Sequence, residues 1–150
     1  CAFKGRQRQV WGAGYTELFF LDEVTALAAG HRPCFECRRG DAEAFMKVFP
    51  FDGSVDACAD SMDRHLHGER LEGAAKRTYM ALAHDLPYGV MFAVGNEAHA
   101  ICRGACLPWR HDGYGKRRTI PREDVAVLTP KSIVEALRRG YVPRWHASAD

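Results

Sequence analysis

Apolar positions recur along this chain with two different periods, and the change between them divides it. In the first half the spacing is helical. Val24, Leu27 and Ala28 fall on one face behind Asp22, which suits a helix N-cap, with Glu23 in the first turn and Gly30 placed to end the helix. A second helix is predicted from about Asp41, with Ala42, Phe45, Met46 and Phe49 inward and Pro50 as its stop. Asp52-Gly53 reads as a turn. Ser54 can cap a third helix that puts Val55, Cys58, Met62, His65, Leu66 and Glu69 on one side.

From Thr78 the period shortens to two. Thr78–Leu82, Val90–Val94, His99–Leu107 and Val125–Leu128 read as strands, with turns at Pro87-Tyr88-Gly89 and Gly95-Asn96 and a loop at His111–Gly115. Thr129 and Pro130 open a last helix through Leu137, closed by Gly140. Ahead of the helices, residues 1–18 look extended, with basic residues alternating around Phe3, Val10 and Trp11. Tyr15–Leu21 is rich enough in aromatic and branched residues to read as a buried strand. The expected class is α+β: a helical half over residues 1–75 and a β-rich half with a C-terminal helix over residues 76–150, sharing one core.

Composition narrows the class without naming a task. At 150 residues, with 47% hydrophobic and 27% charged residues, the chain suits one domain or two small halves. No apolar run approaches the ~20 residues a bilayer-spanning helix needs, and no signal peptide is visible; the expectation is a cytoplasmic protein with no membrane partner. A formal charge of +2 does not by itself imply nucleic acid. The basic residues are nevertheless clustered at Lys4, Arg6 and Arg8, at Arg32, Arg38 and Arg39, at Lys116–Arg118 and at Arg138-Arg139. Such clusters are either solvated surface or an anion-binding face.

Six cysteines, two of them in a CxxC, point to metal or redox use in a cytosolic setting more than to a disulfide framework. Cys34 and Cys37 can aim both sulfurs at one ion, which is half of a tetrahedral zinc site. A thioredoxin-like redox pair would follow a strand and open a helix within a βαβ unit, whereas here a predicted helix ends just before Pro33. Cys102 and Cys106, around an Arg-Gly turn, are the candidate second ligand pair; their alternative is two small core residues of adjacent strands. Cys1, His31, Cys58, His65 and His67 are further possible ligands.

The His65–Arg70 segment raises a different chemistry. His67 and Glu69, with His146 from near the end of the chain, could surround a metal in a hydrolase or nuclease. On a helix His65 and His67 project in different directions, and the segment is not HExxH, so a structural role stands beside the catalytic one. Trp109, Tyr114 and Tyr141 lie near basic residues and could stack on bases or fold into a β core.

The run from Phe19 to Arg39 resembles the zinc domain of Ada-type DNA-repair proteins. The matching features are the aromatic pair Phe19-Phe20, a short helix ending in Ala28-Ala29-Gly30, then Arg32-Pro33-Cys34, Cys37 and a following basic residue. The resemblance implies that Cys34 and Cys37 ligate zinc and that Arg32 faces a phosphate. In that family the other ligand pair, including the methyl-accepting cysteine, lies upstream in a CxxxC. Residues 2–33 here contain no cysteine, so the phosphotriester methyltransferase activity is not carried over. The whole chain also resembles a bacterial family sharing the signatures Thr16–Glu23 and His31–Cys34, a resemblance that implies no activity.

The expectation from sequence is a zinc-stabilised protein that binds DNA or RNA through phosphate contacts from Arg32, Arg38 and Arg39, with Cys34, Cys37, Cys102 and Cys106 holding the metal. A metal-dependent hydrolase and a protein-interaction module with structural zinc are the alternatives.

Overall fold

A computed structural model of the chain describes residues 2–3, 6–7, 18–53 and 56–150. Ala2–Phe3 (β1) and Arg6–Gln7 (β2) form a small antiparallel pair. Three helices follow: Glu23–Ala28 (α1), Arg39–Val48 (α2) and Ala59–Arg70 (α3). A short hairpin of Leu71–Glu72 (β3) and Ala75–Lys76 (β4) leads to the sheet strands. These are Tyr79–Leu82 (β5), Met91–Val94 (β6), Glu97–Cys102 (β7), Ala105–Arg110 (β8), Gly113–Tyr114 (β9) and Asp124–Val127 (β10), before the last helix Lys131–Arg138 (α4). The strands make one antiparallel sheet in the order β5-β10-β6-β7-β8-β9. The class is α+β.

Local chemistry explains most boundaries. Asp22 caps α1 by accepting from the Thr25 amide at 2.9 Å, and Gly30, at φ +81°, lets the chain reverse after it. Pro50 and the extended Phe49 end α2. The stretch read as one strand, His99–Leu107, is instead a hairpin. Arg103 and Gly104 take φ of +47° and +76°, the paired positive values that a tight two-residue turn matched to strand twist requires.

Two expectations change in the first half. The predicted strand Tyr15–Leu21 is not seen in its described part: Leu18–Phe20 pair with no strand among the described residues, and Leu18 and Phe19 are 61% and 72% exposed. Residues 15–17 lie outside the described residues, as do most of residues 1–18, Cys1 and the predicted cap Ser54. The third helix starts at Ala59, with Ser61 Oγ accepting the Cys58 amide at 3.2 Å. Cys58 is therefore a cap residue, and the buried stripe of α3 reduces to Met62 and Leu66 with Ser61.

Apolar side chains fill both faces of the sheet. On one, Phe45 of α2 and Phe49 just after it, Met62 and Leu66 of α3 and Ile133, Val134 and Leu137 of α4 pack against Phe92, Ile101, Cys106 and Val127. On the other, Val24 and Ala28 of α1 meet Met91, Ala100, Cys102, Leu107 and Tyr114. The first of these cores draws on both halves of the chain. Among the described residues no helix is long and apolar enough to cross a membrane.

Candidate functional site

The two acidic residues that open α1 fasten the start of the helix to the end of the chain. Asp22 Oδ1 accepts from the Thr25 amide and hydroxyl. Its Oδ2 accepts from Tyr114 Oη at 2.9 Å and from the His146 amide at 3.1 Å. Glu23, only 7% exposed, accepts from Tyr141 Oη at 2.6 Å, the Arg144 amide at 2.8 Å and Arg38 at 2.9 Å. Burial, then the facing carboxylates, pushes both tyrosines well above the ordinary phenol value. From sequence, Asp22 was legible as a cap and Glu23 as a first-turn acid; their distant partners carried no local signal.

This clamp supports the turn that carries the CxxC. After Gly30 the chain passes His31 and Arg32 to a buried Pro33, and Cys34–Arg38 closes as a turn with the Arg38 amide donating to the Cys34 carbonyl at 2.9 Å. Both thiols are exposed and free. The Glu36 amide donates to Cys34 Sγ at 3.4 Å. Burial raises the Cys34 thiol, but the amides of Cys37 and Glu36, the Cys37 thiol and the Arg32 charge outweigh it and hold Cys34 below its ordinary value. Cys37 moves up, through desolvation and then its hydrogen bond and repulsion with Cys34. The thiolate is favoured at one sulfur, with the second beside it as donor. Such a pair can occupy two positions around a soft metal or close a disulfide.

The predicted phosphate ligands are unequally available. Arg38 spans Glu23 and Asp41, at 2.9 and 2.8 Å, and anchors the turn to the core; Asp41, despite some burial, is held low by Arg38 and Arg144. Arg32 binds Asp63 at 2.6 Å and the Pro33 carbonyl, and lies over the Phe35 ring. Its Nε is buried without a hydrogen-bond partner. Arg39 stands largely in solvent, 3.7 Å from Glu43.

The proposed second cysteine pair is not assembled. Cys106 lies opposite Ile101 in the β7–β8 register, so Cys106 and Cys102 point to opposite sheet faces and lie in separate cores. The Cys102 thiol faces the Ala149 carbonyl, and that of Cys106 faces the Thr119 carbonyl. In this fold they cannot share an ion: the tight turn brings the strands together, but alternation sends adjacent sulfurs apart. Among the described residues no group of three or more His, Cys, Asp or Glu is gathered for a metal.

His67, Glu69 and His146 are likewise separated. His67 is exposed and meets Arg70 at 3.2 Å, while His146 Nδ1 faces Ser148. Glu69 accepts from the amide and hydroxyl of Ser132, each at 3.0 Å, and so caps α4 from another helix. His65 Nε2 is 2.7 Å from the same hydroxyl. Because the serine proton is given to the carboxylate, the imidazole is the donor in that contact. A Ser-His-carboxylate trio is present, yet Ser132 is only 6% exposed and its hydroxyl proton is already committed to Glu69, an arrangement for capping rather than attack. Beside it lies a cleft of about 340 Å³ lined by Glu69, Arg77, Tyr79 and Lys131 among others. Trp109 and Tyr114 pack with the second core and Tyr141 with the first, so these aromatics are not free stacking platforms. No protein-family model, curated protein or solved structure matches the chain.

Proposed function

We propose that this is a zinc-stabilised nucleic-acid-binding protein, in which Cys34 and Cys37 supply two thiolate ligands and the surface around their turn meets a phosphate backbone. One observation carries the metal reading. Two exposed thiols share a turn whose amides donate to Cys34 Sγ and favour its thiolate. Zinc takes cysteine as thiolate, so a turn that already stabilises the anion lowers the cost of binding. The resemblance of Phe19–Arg39 to the Ada-type zinc domain supports the same assignment. The metal's role in this reading is structural: it locks the turn that Arg38 anchors from behind. Phosphate contact then falls to cations that the fold leaves in solvent near the turn, Arg39 first among them.

Metal analysis of the purified protein tests the first half. About one zinc per chain is expected, lost in Cys34→Ser and Cys37→Ser and kept in Cys102→Ser and Cys106→Ser. Cys1→Ser and Cys58→Ser ask whether either of the two remaining cysteines contributes a ligand. A protein that binds no zinc and purifies with a Cys34–Cys37 disulfide is a dithiol redox protein instead. Binding of a labelled oligonucleotide at low salt tests the second half, since each neutralised phosphate releases counterions and steepens the salt dependence. Absence of binding at low salt removes nucleic acid from the reading.

A further inference from the structure

We infer that Arg70, Lys76 and His31 form a binding site for a phosphate group on the flank of the cysteine turn. Used on nucleic acid, the site rests on the function proposed above; as a receptor for a phosphate group on any other ligand, it does not.

Three elements build it. Arg70 is the last residue of α3, and the β3–β4 hairpin turns the chain straight back, pairing Leu71 with Lys76 while the Arg77 amide donates to the Arg70 carbonyl at 3.0 Å. Lys76 is thereby folded back next to Arg70. Both cations then close on the turn that ends α1. The side chain of Arg70 lies flat against Gly30, so near that a Cβ there would stand 2.8 Å from Arg70 Cβ. Lys76 Nζ donates to the Ala28 carbonyl at 2.6 Å. The aliphatic stem of Arg70 and the ammonium of Lys76 thus bracket Ala28–Gly30, and His31 is the next residue along.

The charges in this corner do not balance. Among the described residues neither Arg70 nor Lys76 forms an ion pair; Arg70 meets the His67 ring and Lys76 a carbonyl. The carboxylate that acts on His31, Asp63, is already bound to Arg32 at 2.6 Å. The strain is visible in the titrating groups. Burial and then Arg70 push Lys76 down to about 8. Burial, then Arg70 and Lys76, against a weaker pull from Asp63, push His31 below its ordinary value. Cations held together by backbone geometry without a counter-charge favour an anion that touches more than one of them. A phosphate group, with three or more acceptor oxygens and up to two charges, suits divergent donors better than a carboxylate does. Arg70 closes the His65–Arg70 segment of α3, where the sequence suggests metal ligands, and Lys76 lies on the hairpin beyond it; the cations that the sequence assigns to phosphate are those beside the cysteines.

The experiment uses the full chain with two probes: inorganic phosphate, followed by NMR of the His31 ring, and a labelled single-stranded DNA 12-mer at low salt. Saturable phosphate binding that raises the His31 pKa is expected. Arg70→Gln and Lys76→Gln should each weaken it about tenfold, the loss of one charge-assisted hydrogen bond. Lys76→Arg should restore most of it, and Arg122→Gln, at an exposed position in a loop before β10, should change it less than about twofold. If Arg70→Gln fails to fold because its packing on Gly30 is lost, the Lys76 pair of variants decides. No saturable response, or an equal loss in Arg122→Gln, overturns the site. Oligonucleotide binding weakened by the same variants places the site on the nucleic-acid surface. Oligonucleotide binding untouched by variants that lose phosphate assigns the site to the phosphate group of another ligand and leaves the proposed function standing. Phosphate binding without oligonucleotide binding leaves the site standing and removes the nucleic acid.

Discussion

Two pairs of cysteines, separated by two and by three residues, end in opposite conditions in this fold. Cys34 and Cys37 are presented: their turn leaves both thiols exposed and directs the Glu36 amide at one of them. Cys102 and Cys106 are consumed: each is at most 2% exposed, each faces a backbone carbonyl, and the sheet divides them. A turn sums its N–H groups on a common side, whereas a strand alternates its side chains between two faces. Spacing alone therefore says little about shared chemistry until the backbone that carries it is known. The same division sorts the charged residues, with Arg39 presented and Glu23, Arg38 and Glu69 consumed.

The largest effect that could break this division is at Glu23. Replacing Glu23 by Ala strands the Tyr141 hydroxyl, the Arg144 amide and the Arg38 guanidinium together. A loss of about 3 kcal/mol is expected in chemical denaturation, as for removing one partner of a largely buried pair. A cost under ~1 kcal/mol, typical of a surface ion pair, would return Arg38 to the presented group and make it a phosphate ligand again.

The cysteine pairs themselves come next. Cys102→Ser and Cys106→Ser should each cost about 2 kcal/mol by burying a hydroxyl in an apolar setting, while Cys34→Ser and Cys37→Ser in metal-free protein should stay within about 0.5 kcal/mol. Alkylation of the native metal-free protein should modify Cys34 before Cys37, because its lowered pKa gives more thiolate at a given pH. Its rate should rise at lower pH than that of Cys37, whose pKa is raised. Modification of Cys102 or Cys106 before unfolding, read by peptide mass, would collapse the contrast.

The parts of the fold written in local chemistry were legible in the sequence. The Asp22 cap, the Gly30 reversal, the stripe Ala42, Phe45 and Phe49 with a partly buried Met46, and the opening of α4 after Pro130 all follow from short-range rules, and all appear. What required long-range pairing was not legible. Arg38 reads as an exposed cation until Glu23, fifteen residues away, is placed against it. His146 reads as a catalytic candidate until its amide and ring are found holding Asp22 and Ser148. Ser132 carried no signal, because its role depends on a carboxylate 63 residues away. The sulfurs of Cys102 and Cys106 were assigned together because the Arg103-Gly104 turn was legible while the face each one takes was not.

Glu69 offers a smaller test of the same division. Glu69→Ala removes the acceptor for the Ser132 amide and hydroxyl, and a loss of about 1 kcal/mol is expected, the usual cost of a helix cap. His67→Ala, at an exposed ring, should leave stability within about 0.5 kcal/mol. Equal effects of the two substitutions on any hydrolytic turnover would join them in one site and undo the separation.

The smallest expected effect is the dependence of stability on the charge of Lys76. Its pKa is about 8 in the folded chain and near 10.5 in a free lysine. Between those values the unfolded chain keeps a proton that the folded chain has released, so this group's contribution to stability rises with pH across the window and is flat below it. Several other groups titrate nearby. The raised pKa values of Cys37 and Cys106 make stability fall above about pH 9, and those of the buried tyrosines make it fall above about pH 10. The informative quantity is therefore the difference between wild type and Lys76→Gln, measured by denaturation from pH 7 to 11. That difference should climb between about pH 8 and 10.5, and saturating phosphate should move the climb upward by favouring the charged amine. A flat difference would mean that Lys76 feels neither burial nor Arg70, and the corner beside the cysteine turn would then hold no uncompensated charge for an anion to meet.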